Sequence, residues 1–251
     1  MLKITKKSGI LYSINLKWRF VKLVWYIFFF LDTLLFIFKI IFLTFDDYKL
    51  SKKSRKWALK HLKRAKIEVE VIGKENIPSK ACLFVANHQS YFDILFFLAF
   101  IENKKGFVAK IELAKIPFLK TAMKRFKCIF LDRGNLRQNL ISIKEGIKIL
   151  KDDHSLVIFP EGTWRWEDEG KMLPFKKGSF KLATESSVPI VPVTIINAHK
   201  IMPKGDKRIR KTTVTFVIHK HIETKNLTPA EKRELSNKTY QIINNSLQNN
   251  K

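Results

Sequence analysis

Two side chains that can handle a proton together lie close in the stretch VANHQSYFD, residues 85–93: an imidazole at His88 and a carboxylate at Asp93. A carboxylate bonded to one ring nitrogen fixes the tautomer of a histidine, and the other ring nitrogen can then accept a proton. On one continuous helix, a spacing of five residues would point the two side chains apart. A strand that turns into a helix can bring them together, so the stretch predicts a general base at such a turn. The alternative is a polar loop that closes a strand and does no chemistry.

Two further stretches place candidate ligand-binding residues after apolar runs. In FPEGT, residues 159–163, Glu161 can accept a hydrogen bond from a hydroxyl, and Gly162 permits close approach of the backbone to a ligand. Arg165 follows and can bind an anion. Arg133 ends the short run IFLDR, where it can bind a phosphate. Alone, the first stretch is a tight turn and Arg133 is a surface arginine.

From residue 67 onward, short β-rich runs alternate with helical patterns. The turn residues Thr228-Pro-Ala-Glu231 open a final helix, with a capping threonine, a proline and a glutamate in order. This alternation predicts an α/β fold, a largely parallel central sheet flanked by helices, with ligands bound beyond the carboxyl ends of the strands. We predict strands at residues 67–72, 81–86, 106–109, 128–131, 155–159 and 189–195, a late strand near an edge at 213–218, and helices at 90–101, 117–126, 136–150 and 177–186.

A fourth stretch, VPIVPV at residues 188–193, is typical of a buried strand whose prolines restrict its pairing. In this order NHQSYFD, FLDR, FPEGT and VPIVPV resemble the four motifs of the glycerolipid acyltransferase family, specifically the 1-acylglycerol-3-phosphate acyltransferases. The resemblance spans residues 81–195, a little under half of the chain. Each motif is weakly specific alone, but four in order are specific together. We therefore assign residues 67–251 to an acyltransferase domain.

The resemblance implies an enzyme that moves a fatty acyl group from an acyl thioester to the sn-2 hydroxyl of 1-acylglycerol 3-phosphate, which gives phosphatidic acid. It implies no metal, no cofactor and no covalent enzyme intermediate; the acyl donor, acyl-CoA or acyl carrier protein, is a co-substrate. The alternative acceptor is glycerol 3-phosphate or another lysophospholipid. By resemblance His88 is the general base and Asp93 supports it, and the second and third motifs hold the acceptor phosphate at Arg133, Glu161, Gly162, Thr163 and Arg165.

Two positions depart from the family pattern. The family usually continues FPEGT with Arg-Ser, whereas residues 164–166 read Trp-Arg-Trp and begin a longer loop. Arg165 is therefore a weaker candidate for phosphate binding than Arg133. After a Pro-Phe pair such as that at 117–118 the family often has a glycine two residues on, where this chain has Lys120. The acceptor preference is left open by this difference.

The charge balance points to an anionic partner. The chain has 48 Lys and Arg against 22 Asp and Glu, a formal net charge of +26, which favours nucleic acid, an acidic protein or a membrane surface. Residues 1–66 hold 16 basic and 3 acidic residues, so half of the excess lies in about a quarter of the chain. No nucleic-acid-binding motif is recognisable, and concentrated charge beside an apolar segment favours a membrane. Cys82 and Cys128 lack the spacing of a metal site or redox pair.

Residues 1–66 are predicted to anchor the domain to a membrane. Residues 23–45 are nearly all apolar and long enough to cross a bilayer, but Asp32 and Lys39 interrupt them and basic residues flank both ends. A helical wheel of 49–66 places apolar residues on one arc and basic residues elsewhere, as in a helix that lies on an anionic leaflet. We expect a monotopic anchor at the cytoplasmic face of the membrane. The alternative for 49–66 is a helix packed on its own domain.

Overall fold

A largely parallel sheet forms the centre of the protein. The computed structural model describes residues 26–43, 46–132, 134–163, 171–203, 206 and 208–249. The strands are β1 (Ile67–Ile72), β2 (Leu83–Ala86), β3 (Lys105–Lys110), β4 (Ile129–Leu131), β5 (Ser155–Ile158), β6 (Ile190–Ile196) and β7 (Thr212–Ile218). They form one sheet in the order β1-β7-β6-β2-β5-β3-β4. Only the β6–β7 pair is antiparallel among these seven described strands, so the carboxyl ends of β2 to β6 meet at one edge.

Helices cover both faces of this sheet. They are α1 (residues 26–42), α2 (Asp47–Arg64), α3 (Asp93–Phe100), α4 (Pro117–Arg125), α5 (Leu136–Lys151), α6 (Lys181–Ser186) and α7 (Pro229–Gln248). Successive residues of a strand point to opposite faces. In β2, Phe84 and Ala86 join the core beneath α2 and α3, while Leu83 and Val85 join the core beneath α5, α6 and α7. All four side chains are buried, as expected of a central parallel strand.

The predicted strands and helices of residues 67–249 are all present, with small shifts at their ends. The predicted helix at 90–101 begins three residues later, at Asp93, because the carboxylate of Asp93 accepts the N–H of Ser90 and holds the preceding residues in a turn. The predicted helix at 177–186 starts with a 3-10 turn. The late strand β7 lies one position in from the edge strand β1. At the last helix, Thr228 and Glu231 form the predicted reciprocal cap.

The apolar arc predicted for α2 is buried within the protein. Ala58 and Leu62 belong to the core beneath α3. On the other side of the arc, the Trp57 ring stacks on Phe36 of α1, with ring centroids 5.0 Å apart and planes 6° from parallel. Helix α2 therefore packs on its own domain through this arc, and the predicted division of the chain at residue 66 stays a prediction.

The outer face of α1 is apolar and exposed. Five large side chains follow a spacing of three and four residues along it, so they form one stripe. Among the described residues, no helix is long and apolar enough to cross a membrane. The ends of the predicted apolar segment, residues 23–25 and 44–45, lie outside the described residues. The stripe consists of Phe28, Leu31, Leu35, Phe38 and Phe42.

Candidate active site

The strand-to-helix turn predicted around His88 is present. Strand β2 ends at Ala86 and helix α3 begins at Asp93. Across the turn, Nδ1 of His88 lies 2.7 Å from Oδ2 of Asp93. The turn thus brings together the two side chains whose spacing suggested a general base.

Asp93 is held by the backbone of the same turn. The side chain is fully buried, and its Oδ2 accepts the N–H groups of Gln89 at 2.7 Å and Ser90 at 3.0 Å. Because Oδ2 accepts both of these N–H groups, it presents lone pairs towards the imidazole, and Nδ1 of His88 is the atom that donates in this contact. Nε2 of His88 is then the nitrogen that carries a lone pair and can accept a proton.

The ring of His88 is also fixed by an aromatic neighbour that the sequence had not singled out. Phe159, which directly follows β5, stacks on the imidazole with ring centroids 4.2 Å apart and planes 21° from parallel. Phe159 in turn makes a T-shaped contact with Phe97 of α3, with ring centroids 5.9 Å apart. The side chain of His88 is 18% exposed, so a substrate can reach it while Phe159 restrains its plane. Phe159 opens the FPEGT stretch, and the pairing of β5 with β2 brings it to His88.

Glu161 is hydrogen-bonded to the turn that carries His88. It is buried, its Oε1 accepts the backbone N–H of His88 at 2.8 Å, and its Oε2 accepts that of Leu173 at 2.7 Å. Burial raises the pKa of Glu161 to about 7, although the two N–H groups and the positive form of His88 act in the opposite direction. Because both carboxyl oxygens of Glu161 already accept backbone N–H groups, a direct contact of Glu161 with the acceptor stays a prediction.

The remaining predicted site residues divide between described and undescribed parts of the chain. Gly162 has a φ of 75°, a left-handed conformation that favours glycine, and its N–H closes a turn onto the carbonyl of Phe159. Thr163 follows on the surface. Arg133 and Arg165 both lie outside the described residues.

The fourth motif is the strand next to the first. In the parallel pairing of β2 with β6, Val85 lies opposite Pro192. The pairing of β6 with β7 starts at Val193, directly after this proline, as expected of a residue that lacks an N–H. In the part of the chain that the structure describes, no group of three or more His, Cys, Asp or Glu residues is arranged to hold a metal ion.

Comparisons with known proteins agree with this geometry. A family model described as Acyltransferase matches residues 68–196. The chain is 37% identical to a chloroplastic 1-acyl-sn-glycerol-3-phosphate acyltransferase of Brassica napus, over 62% of this chain and 45% of the plant protein. It is 34% identical to the 1-acyl-sn-glycerol-3-phosphate acyltransferase of Saccharomyces cerevisiae, over 68% and 57% of the two chains. It thus spans about half the length of these two relatives.

A bacterial relative and a solved structure match over more of their length. The 1-acyl-sn-glycerol-3-phosphate acyltransferase of Borreliella burgdorferi is 31% identical, over 68% of each chain. The crystal structure of the 1-acyl-sn-glycerophosphate (LPA) acyltransferase PlsC from Thermotoga maritima aligns with a TM-score of 0.76 and 28% identity, over 92% of this chain and 96% of that one. The similarity therefore extends over the sheet, its helices and the turn that carries His88.

Proposed function

Because the chain belongs to the acyltransferase family, we propose that it transfers a fatty acyl group from an acyl thioester to the sn-2 hydroxyl of 1-acylglycerol 3-phosphate and so makes phosphatidic acid. The observation that carries the proposal is the imidazole of His88, oriented by a buried Asp93 at the carboxyl edge of the sheet. The acceptor is the one after which the similar enzymes of Brassica napus, Saccharomyces cerevisiae and Borreliella burgdorferi are named.

The proposed reaction needs one proton acceptor, and His88 fits that role. Nε2 takes the proton of the acceptor hydroxyl as the hydroxyl oxygen attacks the carbonyl carbon of the thioester. The carbon–oxygen bond forms, the carbon–sulfur bond breaks, and the proton passes from His88 to the departing thiolate. Asp93 stabilises the imidazolium that exists between these two steps. No group of the protein becomes acylated in this scheme.

The acceptor phosphate needs a cation, for which Arg133 is the first candidate and Arg165 the second. Both follow strands that end at the same edge of the sheet as β2. Gly162 and Thr163, which precede Arg165 in the sequence, complete the proposed phosphate site. Arginine can bind a phosphate through two parallel hydrogen bonds, present before and during the reaction. Substituting Arg133 with alanine should therefore mainly raise KM for the acceptor.

An acceptor and donor screen tests the function. Purified protein is incubated with 1-acylglycerol 3-phosphate, glycerol 3-phosphate or a lysophospholipid without a terminal phosphate, each with acyl-CoA and with acyl carrier protein as donor. We expect phosphatidic acid from the first acceptor at the highest kcat/KM. Faster turnover of either other acceptor would contradict the proposed substrate, and no turnover with any pair would contradict the activity.

We propose that the protein lies at the cytoplasmic face of a membrane; the exposed stripe of α1 supports the contact with the membrane. Monomeric soluble proteins rarely expose a contiguous apolar surface of this kind, and α2, which packs on α1, is rich in lysine and arginine. Replacing Leu31 and Phe38 with glutamate should abolish sedimentation with anionic vesicles, while Ile72→Glu, which alters an exposed apolar residue of β1, should not. Unchanged sedimentation of the α1 variant would exclude the stripe as the membrane contact.

A further inference from the structure

The turn that carries His88 begins where β2 leaves the sheet. Strand β2 lies between β6 and β5, and its pairing with β6 ends with Ala86 opposite Val193. Backbone N–H and C=O groups that leave a ladder inside a protein need other partners. The hydrogen-bond partners of the next two residues, Asn87 and His88, determine the position of the turn.

On the β6 side, the side chain of Asn87 makes the hydrogen bonds that the backbone of β2 no longer makes. Nδ2 of Asn87 donates to the carbonyl of Ile195 at 2.8 Å, and the N–H of Ile195 donates to Oδ1 of Asn87 at 2.8 Å. Asn87 is 1% exposed, so these bonds do not compete with bulk water. A primary amide has the same donor and acceptor as a peptide group. Asn87 thus extends the β2–β6 pairing by a further step after the main chain has turned away.

On the β5 side, the next residue is held by a different group. The N–H of His88 donates to Oε1 of Glu161, which follows β5. Asn87 is therefore bonded to β6, and the next residue, His88, to the segment that follows β5 on the other side of β2. Rotation or displacement of the turn would break at least one of these contacts.

We propose that Asn87 is a positioning residue, which acts on turnover by fixing His88 relative to Asp93 and Phe159. The inference rests on the proposed acyl transfer by His88. Alanine at this position leaves the buried N–H and C=O of Ile195 without these partners and frees one side of the turn. Small displacements of a proton-transferring group strongly reduce its rate. Asn87→Ala should therefore lower kcat about tenfold to a hundredfold, with a much smaller change in the KM of the acceptor.

Asn76 provides a matched control. Its Nδ2 also donates to a backbone carbonyl at 2.8 Å, that of Ile218, but it follows β1, away from the turn of His88. Asn76→Ala should lower thermal stability in the same way and leave kcat within about twofold of the parent value. A comparable loss of kcat in both variants would overturn the inference, because a side-chain amide outside the turn that carries His88 would then have the same effect.

Asn87→Asp separates positioning from a loss of packing. An ionised aspartate cannot donate to the carbonyl of Ile195, whereas a protonated one offers both a donor and an acceptor in nearly the same shape. Burial raises the pKa of such a carboxyl, so the hydrogen bond should return as the pH is lowered. The ratio of the variant's kcat to that of the parent should therefore increase as the pH is lowered from 8.5 to 5.5.

The outcomes are distinct. A parent protein without acyl transfer contradicts the proposed function itself. An active parent with a kcat ratio for Asn87→Asp that is flat or falls as the pH decreases contradicts only the role of Asn87, as does an Asn87→Ala enzyme with the parent's kcat. If neither variant yields folded protein, Asn87 acts on folding and the positioning role is overturned.

Discussion

Two pairs of histidine and aspartate in this protein have nearly the same contact and opposite surroundings. His88 lies 2.7 Å from Asp93, and His61 of α2 lies 2.8 Å from Asp32 of α1. In the first pair the carboxylate is fully buried and the imidazole is 18% exposed; in the second the imidazole is 1% exposed and the carboxylate 22%. A base must be reachable from solvent while its partner stays fixed. Exposure, more than the distance between the two groups, distinguishes the site of chemistry from the structural contact.

The surroundings of the second pair fit a contact between helices. The ring of His61 meets Phe29 and Trp57 at centroid distances of 4.7 and 4.8 Å. Burial lowers the pKa of His61, although Asp32 acts in the opposite direction. Burial raises the pKa of Asp32, but hydrogen bonds from Lys60 and His61 outweigh it, so that pKa lies below its ordinary value. The pair therefore holds α1 against α2 and keeps the apolar stripe of α1 outward.

The largest effect is expected at the exposed imidazole. His88→Ala removes the proton acceptor, so kcat should fall by about 10² to 10⁴ while acceptor binding is largely retained. Steady-state kinetics on folded protein, with circular dichroism as a control for the fold, measures the change. Near-normal turnover would remove His88 from the chemistry.

The next effect is expected at the buried carboxylate. Asp93→Asn keeps the size of the side chain but removes the charge that supports the imidazolium, so kcat should fall about tenfold to a thousandfold, with little change in KM. The amide can still accept the N–H of Gln89 or Ser90, and the turn should survive. A variant that lost acceptor affinity but kept kcat would show that Asp93 shapes the binding site instead of supporting the base.

Substitution in the pair of His61 and Asp32 should lower stability and leave turnover nearly unchanged. Asp32→Ala leaves the buried imidazole of His61 without its partner, which should lower the free energy of unfolding by about 2 kcal/mol. Because the pair joins α1 to α2 and does not belong to the strand-to-helix turn that carries His88, kcat with a water-soluble short-chain donor should stay within about twofold of the parent value. Urea unfolding and the same kinetic assay check both statements. A large loss of kcat with unchanged stability would invert the comparison.

A third histidine, His154, is buried like His61 and should make the stability of the protein depend on pH. His154, before β5, is buried, and Oδ2 of Asp47 lies 3.6 Å from its Nδ1. Burial, with a smaller contribution from Lys127 and Lys104, lowers the pKa of His154 to about 4, although Asp47 and a backbone hydrogen bond at Phe126 act in the opposite direction.

A lowered pKa means that the folded protein binds fewer protons than the unfolded chain between about pH 6.5 and that value. The contribution of His154 to stability is therefore complete above about pH 6.5 and is lost as the pH falls towards 4. His154→Leu should reduce the difference in unfolding free energy between pH 8 and pH 5 by about 1 to 2 kcal/mol. An unchanged difference in urea unfolding would show that His154 is not the group responsible.

The strands, the helices and the contact between His88 and Asp93 could be predicted from the sequence, because they depend on local patterns. A strand followed by a turn and a helix is encoded within residues 81–101, and so is the approach of the two side chains. The stacking of Phe159 and the bonds of Asn87 depend on β5 and β6 being the neighbours of β2. Strand order is a property of the whole fold, and no spacing along the chain encodes it directly.

The amphipathic pattern of α2 shows a second limit. An apolar arc that includes Ala58 and Leu62 looks the same whether it faces lipid or protein, because both exclude water from it. Here that arc is buried against α1 and the core, and the exposed apolar surface belongs to α1. The pattern predicted a buried face, but the partner of that face followed only from the tertiary structure.

A double-mutant cycle on kcat tests whether His88 and Asp93 act together as one general base. His88→Ala, Asp93→Asn and the double variant are compared with the parent under saturating acceptor and donor. If Asp93 acts through His88, it has nothing to support once the imidazole is gone, and the double variant should turn over within about twofold of His88→Ala alone. Losses that multiply in the double variant would contradict the account, because the two residues would then act independently.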